Sequence, residues 1–447
     1  MGLWITTGDN VSRAAGAVCD VYSGAADFWP GPAGLSGGAS GDTALYNKVY
    51  QLRAVEVQRH RATWKQPGYE PAANIAAWPA NGAKGFASVL APYADLNRNG
   101  VYEPEKGDYP FVPEGELAYC ISNDAAGSGR ITASGSLGAE VQSMLWIPTE
   151  QTDTALGLLA YLRFVVHNRS RNHWHGVALS LAVDFALGDA NDDYLITDVN
   201  AGGIAAYNGA ATDAVFGTDI PAVTVYMLNR QLLSTMYFEN TADAVRGKPT
   251  TIAHYHHLAR GRWKTGRNLA YGRAGLDGNI LTSYVYSNGT DPTNSGIWNE
   301  GDAGNFPGNR TGLLTADTFS LPAGGSTVLE FALGLLTRVG NDPAALGTKM
   351  NQQKNAAIRQ QNNPLPGLYV NPIEMRLMEH QMIIRGTGNS VLNVSVYDMT
   401  ARPLAEFCFL GGGIVNLKNL PGNGPVVFMV SDEYGRQVRG KAMIPEK

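Results

Sequence analysis

Leu158-Leu159-Ala160-Tyr161-Leu162-Arg163-Phe164-Val165-Val166-His167-Asn168-Arg169-Ser170-Arg171-Asn172-His173-Trp174-His175-Gly176-Val177-Ala178-Leu179-Ser180-Leu181-Ala182-Val183-Asp184-Phe185 is the stretch that decides the fold class. Leu158, Ala160, Leu162, Phe164 and Val166 share one face, and Arg163 and His167 the other, a period of two that belongs to strands. Val177, Leu179, Leu181, Val183 and Phe185 repeat it against Ala178, Ser180, Ala182 and Asp184. The polar Asn168–Asn172 segment between the runs predicts an antiparallel hairpin. Leu329, Phe331, Leu333 and Leu335 give a third such strand, after the Leu321-Pro322-Ala323-Gly324-Gly325 turn. Strands with polar outer faces suit an antiparallel sandwich better than a parallel sheet.

Working outward, the expectation is a mainly β protein: an antiparallel β-sandwich body with a few helices, then a small Ig-like C-terminal β-sandwich. The divisions fall at 1–115 (loop-rich, one helix), 116–340 (sandwich body), 341–364 (helix and linker) and 365–447 (short strands). Asp42 as cap and Leu45, Val49, Leu52 and Val55 at helical spacing predict the first helix. Asp342 as cap with Pro343 at the first helical position predicts the second, with Leu346, Met350, Ala357 and Ile358 on one face. Asn362–Gly367 reads as its end and a linker.

Composition agrees. Among 447 residues, charged side chains make up 16%, against roughly 25% in typical domains. With 53 Gly and 23 Pro, neither a coiled coil nor a disordered chain fits. A net charge of −5 without a basic run excludes a nucleic-acid groove, which needs clustered Lys and Arg. No apolar run is long enough for a transmembrane helix. Cys19, Cys120 and Cys408 permit at most one bridge and form no framework.

Asp95-Leu96-Asn97-Arg98-Asn99-Gly100-Val101 reproduces the front half of a calcium loop: oxygen donors at positions 1, 3 and 5, Gly at 6, and a carbonyl at 7. Position 12 is Lys106, so Asp108, Glu103 or Glu105 must close the shell. The expected ligands are Asp95, Asn97, Asn99, Val101 and Asp108 around a structural calcium. The alternative is a turn held by Asx hydrogen bonds. Asp184, Asp189, Asp192, Asp193 and Asp198 form a second acidic group, for which a metal, a glycosidase-like carboxylate pair or a solvated loop are the readings. His173 and His175, and His254, His256 and His257, would supply zinc ligands if they lay on strands and met in space; otherwise they are ordinary strand positions. Gly34-Leu35-Ser36-Gly37-Gly38 matches a nucleophile elbow in letters only, since a Pro/Gly-rich turn precedes it. Trp29, Trp64, Trp78, Trp174, Trp263 and Trp298 could stack on sugar rings or pack in the core.

Several segments, taken in order, resemble a family of large secreted Bacteroidota proteins. They are Gly2-Leu3-Trp4-Ile5, Asp27–Pro32, Ala91–Pro110, Asn168-Arg169-Ser170, Asp192-Asp193-Tyr194, Tyr207-Asn208-Gly209, Gly261–Lys264 and Arg310–Leu314. Residues 365–447 resemble a divergent type A C-terminal sorting domain of the type IX secretion system. The likeness rests on Asn371-Pro372, the strand Val394–Asp398 and the basic end from Lys441. Thr400-Ala401 and Pro425 depart from that pattern. The resemblance implies a secreted or surface-attached protein that partners the type IX machinery through 365–447, with an extracellular glycan or surface partner and a non-enzymatic role. It implies a signal peptide upstream of Met1, the chain starting partway through a domain. A polysaccharide hydrolase using a carboxylate pair in 184–198 is the alternative.

Overall fold

The computed structural model describes residues 1–37, 43–97, 99–113, 115–125, 129–149, 157–337, 339–340, 342–361, 374–378, 380–385, 391–400, 402–410, 412–432 and 437–445. Asp42, the 362–367 linker and Asn371-Pro372 lie outside them. The chain opens with β1 (Gly2–Thr7), β2 (Ala15–Val18), β3 (Trp29–Pro30), α1 (Thr43–Tyr46), β4 (Tyr50–Arg53), α2 (Ala54–Thr63) and α3 (Ala73–Ala76). Then come β5 (Tyr93–Ala94), β6 (Tyr109–Pro110), β7 (Glu116–Asn123), β8 (Ala139–Ile147), β9 (Leu158–Asn168) and β10 (Trp174–Phe185). The body continues through β11 (Asp193–Asp198), β12 (Gly203–Asn208), β13 (Ala222–Met227), β14 (Leu232–Phe238) and α4 (Ile252–Leu258). It closes with β15 (Arg310–Ala316), β16 (Phe319–Leu321), β17 (Ser326–Leu336) and α5 (Pro343–Gln361).

Two antiparallel sheets form the body. One runs β14-β15-β10-β1-β2, with β16 also on β10; the other runs β11-β12-β13-β17-β9-β8-β7-β3, with β4 also on β7. Leu179, Leu181 and Val183 of the first face Leu162, Phe164, Val166, Val225 and Phe331 of the second across one core. The body is therefore the antiparallel sandwich that the alternation implies.

The Asn168–Asn172 segment is not a hairpin turn. β9 pairs with β8 and β17, whereas β10 pairs with β1, β15 and β16, so the segment arches from one sheet to the other. Asn168, fully buried, holds the arch: Nδ2 donates to the carbonyls of Asn172 (2.8 Å), Leu321 (3.1 Å) and Pro322 (3.1 Å). Beside it, Arg169 donates to the buried Glu140 carboxylate at 2.7 Å.

The outer faces are not polar and wet, either. Tyr161, Leu159, Met144, Tyr119 and Ala205 of the second sheet pack beneath Leu346, Met350 and Ala357 of α5 and Val57 of α2. On the first sheet Trp4 meets Tyr255 of α4, ring centroids 4.8 Å apart. Asp342 caps α5 as expected, its Oδ1 accepting from Ala344 N at 2.9 Å. The buried Gln353 of α5 accepts from Thr224 (2.7 Å) and Tyr226 (2.9 Å), so the amide-rich side of this helix is partly interior.

The first predicted helix does not form as one piece. Tyr50 and Leu52 lie on β4, opposite Tyr119 and Leu117 of β7, while Leu45, Val49 and Val55 are exposed. Pairing with a sheet edge buries two side chains that a single amphipathic helix would have divided differently, and it overrides local spacing.

The tail is β18 (Glu374–Met378), β19 (Gln381–Arg385), β20 (Val391–Asp398), β21 (Pro403–Leu410), β22 (Gly412–Asn416), β23 (Gly424–Asp432) and β24 (Gln437–Ile444). Sheets β18-β19-β22 and β21-β20-β23-β24 enclose their own core of Met382, Ile384, Leu392, Val394, Val396, Val415, Phe428 and Val430. Among the described residues no tail strand pairs with a body strand.

Candidate metal centre

The 95–108 loop springs from a two-strand base, Tyr93 opposite Pro110 and Ala94 opposite Tyr109. α2 braces its far end: His60 Nε2 donates to the Asp108 carbonyl at 2.9 Å. Gly107 sits at φ +103 with its missing Cβ position 2.5 Å from the Trp64 ring, so only glycine fits. Within the loop, Asp95 accepts from Gly100 N (2.7 Å) and Asn99 N (3.3 Å). Asn97 Oδ1 accepts from Asn99 N (3.1 Å) and Asn99 Oδ1 from Val101 N (2.8 Å). Glu103 Oε2 takes both carboxamides, Asn97 Nδ2 at 3.1 Å and Asn99 Nδ2 at 2.6 Å, and Lys106 pairs with its other oxygen. These hydrogen bonds, that of Lys106 first, hold the Glu103 carboxyl below its usual range.

Asp108 does not join this ring. It is fully buried and clasps the loop's base, its oxygens accepting from Leu96 N (2.8 Å) and Glu103 N (2.9 Å). Burial pushes its carboxyl upward despite those bonds. Asp108 is therefore occupied at the loop's base, and Glu103 is the carboxylate that meets Asn97 and Asn99 beside Asp95. The partners hold each carboxamide with its oxygen on a backbone N–H and its nitrogen on Glu103, the arrangement of a turn held by Asx hydrogen bonds. Hard oxygen donors of this kind suit calcium. Among the described residues no three His, Cys, Asp or Glu side chains are grouped to hold a metal, so any ion here relies on amide and carbonyl oxygens.

The second acidic group divides among three places. Asp184 lies on β10 opposite Thr311 with a buried, unpartnered Oδ1, and burial raises its pKa. Asp198 ends β11, accepting from Ala201 N (2.8 Å) and Asn351 Nδ2 (2.6 Å), and burial raises it too. It lines a cleft of ≈ 550 Å³ with Asn200, Asn288, Thr290, Ile297, Asp302 and Pro343. Asp193 starts the same strand, about 17 Å from Asp198 at ~3.3 Å per residue and on the opposite face. Asp189, Asp192 and Asp193 feel one another's charge, as does Asp213, which stands outside the acidic run of the sequence, without grouping closely enough for three carboxylates to share a metal. Asp213 lies twenty residues past Asp193, and the antiparallel pairing of β11 with β12 folds it back.

The histidines do not form a centre. His173 and His175 stack on each other at 4.4 Å, but His254, His256 and His257 ride on α4, not a strand. His256 Nε2 donates to the Gly8 carbonyl at 3.0 Å, and His257 Nδ1 lies 3.1 Å from the Lys264 carbonyl. Trp78, Trp174, Trp263 and Trp298 are buried, and none of the six tryptophans lines the cleft beside Asp198. Ser36 occupies a turn, Gly38 lies outside the described residues, and none of the three cysteines forms a disulfide among the described residues.

No family model matches the chain. No curated protein matches it either. Among solved structures, a polysaccharide lyase is similar over 69% of this chain at 9% identity and a TM-score of 0.22. The chain spans about a third (34%) of that protein's length, and the likeness carries no functional argument. No helix among the described residues is long and apolar enough to cross a membrane.

Proposed function

We propose that the chain is a non-enzymatic passenger of the type IX secretion system, acting at the cell surface or beyond it, with calcium as a structural ion in the 95–103 loop. The observation that supports the reading is the tail: 374–444 close two sheets around their own core, as a folded sorting domain would. The resemblance of 365–447 to sorting domains gives that sandwich its role. Calcium would hold Asp95, Asn97, Asn99 and Glu103 together, fixing a loop already braced by His60 and Asp108. An extracellular glycan or surface partner would meet the cleft beside Asp198, lined also by Asn200, Ile297 and Asn299.

The export reading is tested by fusing 365–447 to a reporter in a type IX-competent host. Surface or medium localisation is the expected result, and a reporter retained in the periplasm overturns it.

A further inference from the structure

Where β11 and β12 begin and end, Asp193 and Asn208 stand opposite each other. Both are fully buried, and each keeps one side-chain oxygen, Oδ1, without a hydrogen-bond partner. Asp192, the half-buried residue just before the strand, has a third such oxygen, and its carboxylate is hydrogen-bonded to the Asn208 carboxamide. The remaining atoms of the group are occupied: Asp193 Oδ2 accepts from Leu187 N (3.0 Å), and Asn208 Nδ2 donates to Ala210 O (3.1 Å) and Thr212 O (3.2 Å). Buried acceptors are almost always satisfied. Three bare ones on two consecutive residues and the residue paired with one of them are an anomaly that a ligand would resolve.

The charges point to the sign of that ligand. Asp189 and Asp213 complete the group, and the four carboxylates repel one another. None of the four is ion-paired to a lysine or arginine among the described residues. Asp213 plays a separate part. It accepts from Asp189 N (3.0 Å), Val215 N (2.7 Å) and Phe216 N (2.7 Å), so it is committed to its own loop and stays ionised. It can approach only because residue 188 is glycine, whose missing Cβ position is 2.3 Å from Asp213 Oδ2.

We propose that Asp192, Asp193 and Asn208 form a second site for a hard divalent cation such as calcium, distinct from the 95–103 loop. All three free donors are oxygens, which disfavours zinc and favours a hard cation that completes its shell with water and backbone carbonyls. The site joins the start of β11 to the end of β12 at the sheet's edge. It stands apart from the export reading and extends the calcium part of the proposal to a second place.

The experiment counts bound calcium per chain by equilibrium dialysis of the full-length protein, alone and with Asp192→Asn, in both the natural chain and a chain carrying Asp95→Asn and Glu103→Gln. The loop-disabled chain is expected to retain one calcium, and D192N to weaken that binding about tenfold or more. In the natural chain D192N is expected to remove one equivalent, a result that stands even if the loop-disabled chain fails to fold. Unchanged stoichiometry and affinity on D192N in the natural chain overturns the second site. If D192N removes the only calcium the natural chain binds, this site stands and the loop reading falls.

Discussion

Asn168 Nδ2 lies 3.1 Å from the Leu321 carbonyl, and that contact fastens the bridge between the two sheets to the β16–β17 turn. The same carboxamide serves Asn172 and Pro322, and its oxygen accepts from Ser170 Oγ at 2.6 Å. Replacing it with Ala leaves buried carbonyls bare, each costing about 1–3 kcal/mol. Asn168→Ala is expected to lower unfolding stability by about 2–4 kcal/mol in urea denaturation; a loss below about 0.5 kcal/mol would deny the arch its anchor.

Glu300 and Arg310 form a second buried relationship, Nε to Oε1 at 3.0 Å, with Leu195 N donating to the other carboxylate oxygen at 2.8 Å. Arg310→Met strands the carboxylate in the core. Its cost is expected at about 3–5 kcal/mol, while replacing both residues together by apolar ones of similar size should cost less. Chemical denaturation of the single and double variants checks the difference.

His256 sets an acid limit. Burial, with the Arg260 charge adding, holds its imidazole at about 4, well under the ordinary 6.5. The buried His167, with no partner on either ring nitrogen, is likewise held well below, by burial and by Arg169. In the unfolded chain both rings take a proton near 6.5 and in the folded chain they do not. Stability is therefore full above about pH 6.5 and falls as the pH drops toward 4, by on the order of 3 kcal/mol for His256. A His256→Gln variant, whose amide can still donate to Gly8, should show a flatter melting profile over that window. An identical profile refutes the assignment.

Calcium at the 95–103 loop predicts a melting temperature higher in millimolar calcium than in chelator, by about 2–4 °C per kcal/mol of binding energy. Glu103→Gln should shrink that gap and Asp108→Asn should not abolish it, because Asp108 clasps the base and does not join the ring. The reverse order of effects would move closure back to Asp108.

Gly188→Ala tests the close approach of Asp213. Its φ of +62 and the 2.3 Å clash with the carboxylate predict a loss of about 1–3 kcal/mol, read as a lower urea midpoint at unchanged slope.

Much of the architecture is readable from side-chain alternation. Leu158–Val166 and Val177–Phe185 announce strands, Asp342-Pro343 announces a helix start, and Asp95–Val101 announces an oxygen-lined loop. The partners of those elements are not readable. Arch and hairpin use the same polar five residues, and only the fit of β9 between β8 and β17 separates them. That Asp108 is spent on backbone amides while Glu103 meets the loop's two carboxamides is likewise not legible from their spacing. Asn208 and Asp213 stand well past the acidic run, although Tyr207-Asn208-Gly209 was already conspicuous as a motif.

The order of residues by itself determined the class of the fold and the chemistry each loop can offer, because periodicity and donor type are local properties of a chain. The tertiary structure decided which sheet each strand joined, which histidines were wasted on backbone carbonyls and which aspartates met. Those outcomes depend on burying apolar faces against segments more than a hundred residues away, as β9 does against β17, and no short window of sequence contains both sides of such a contact.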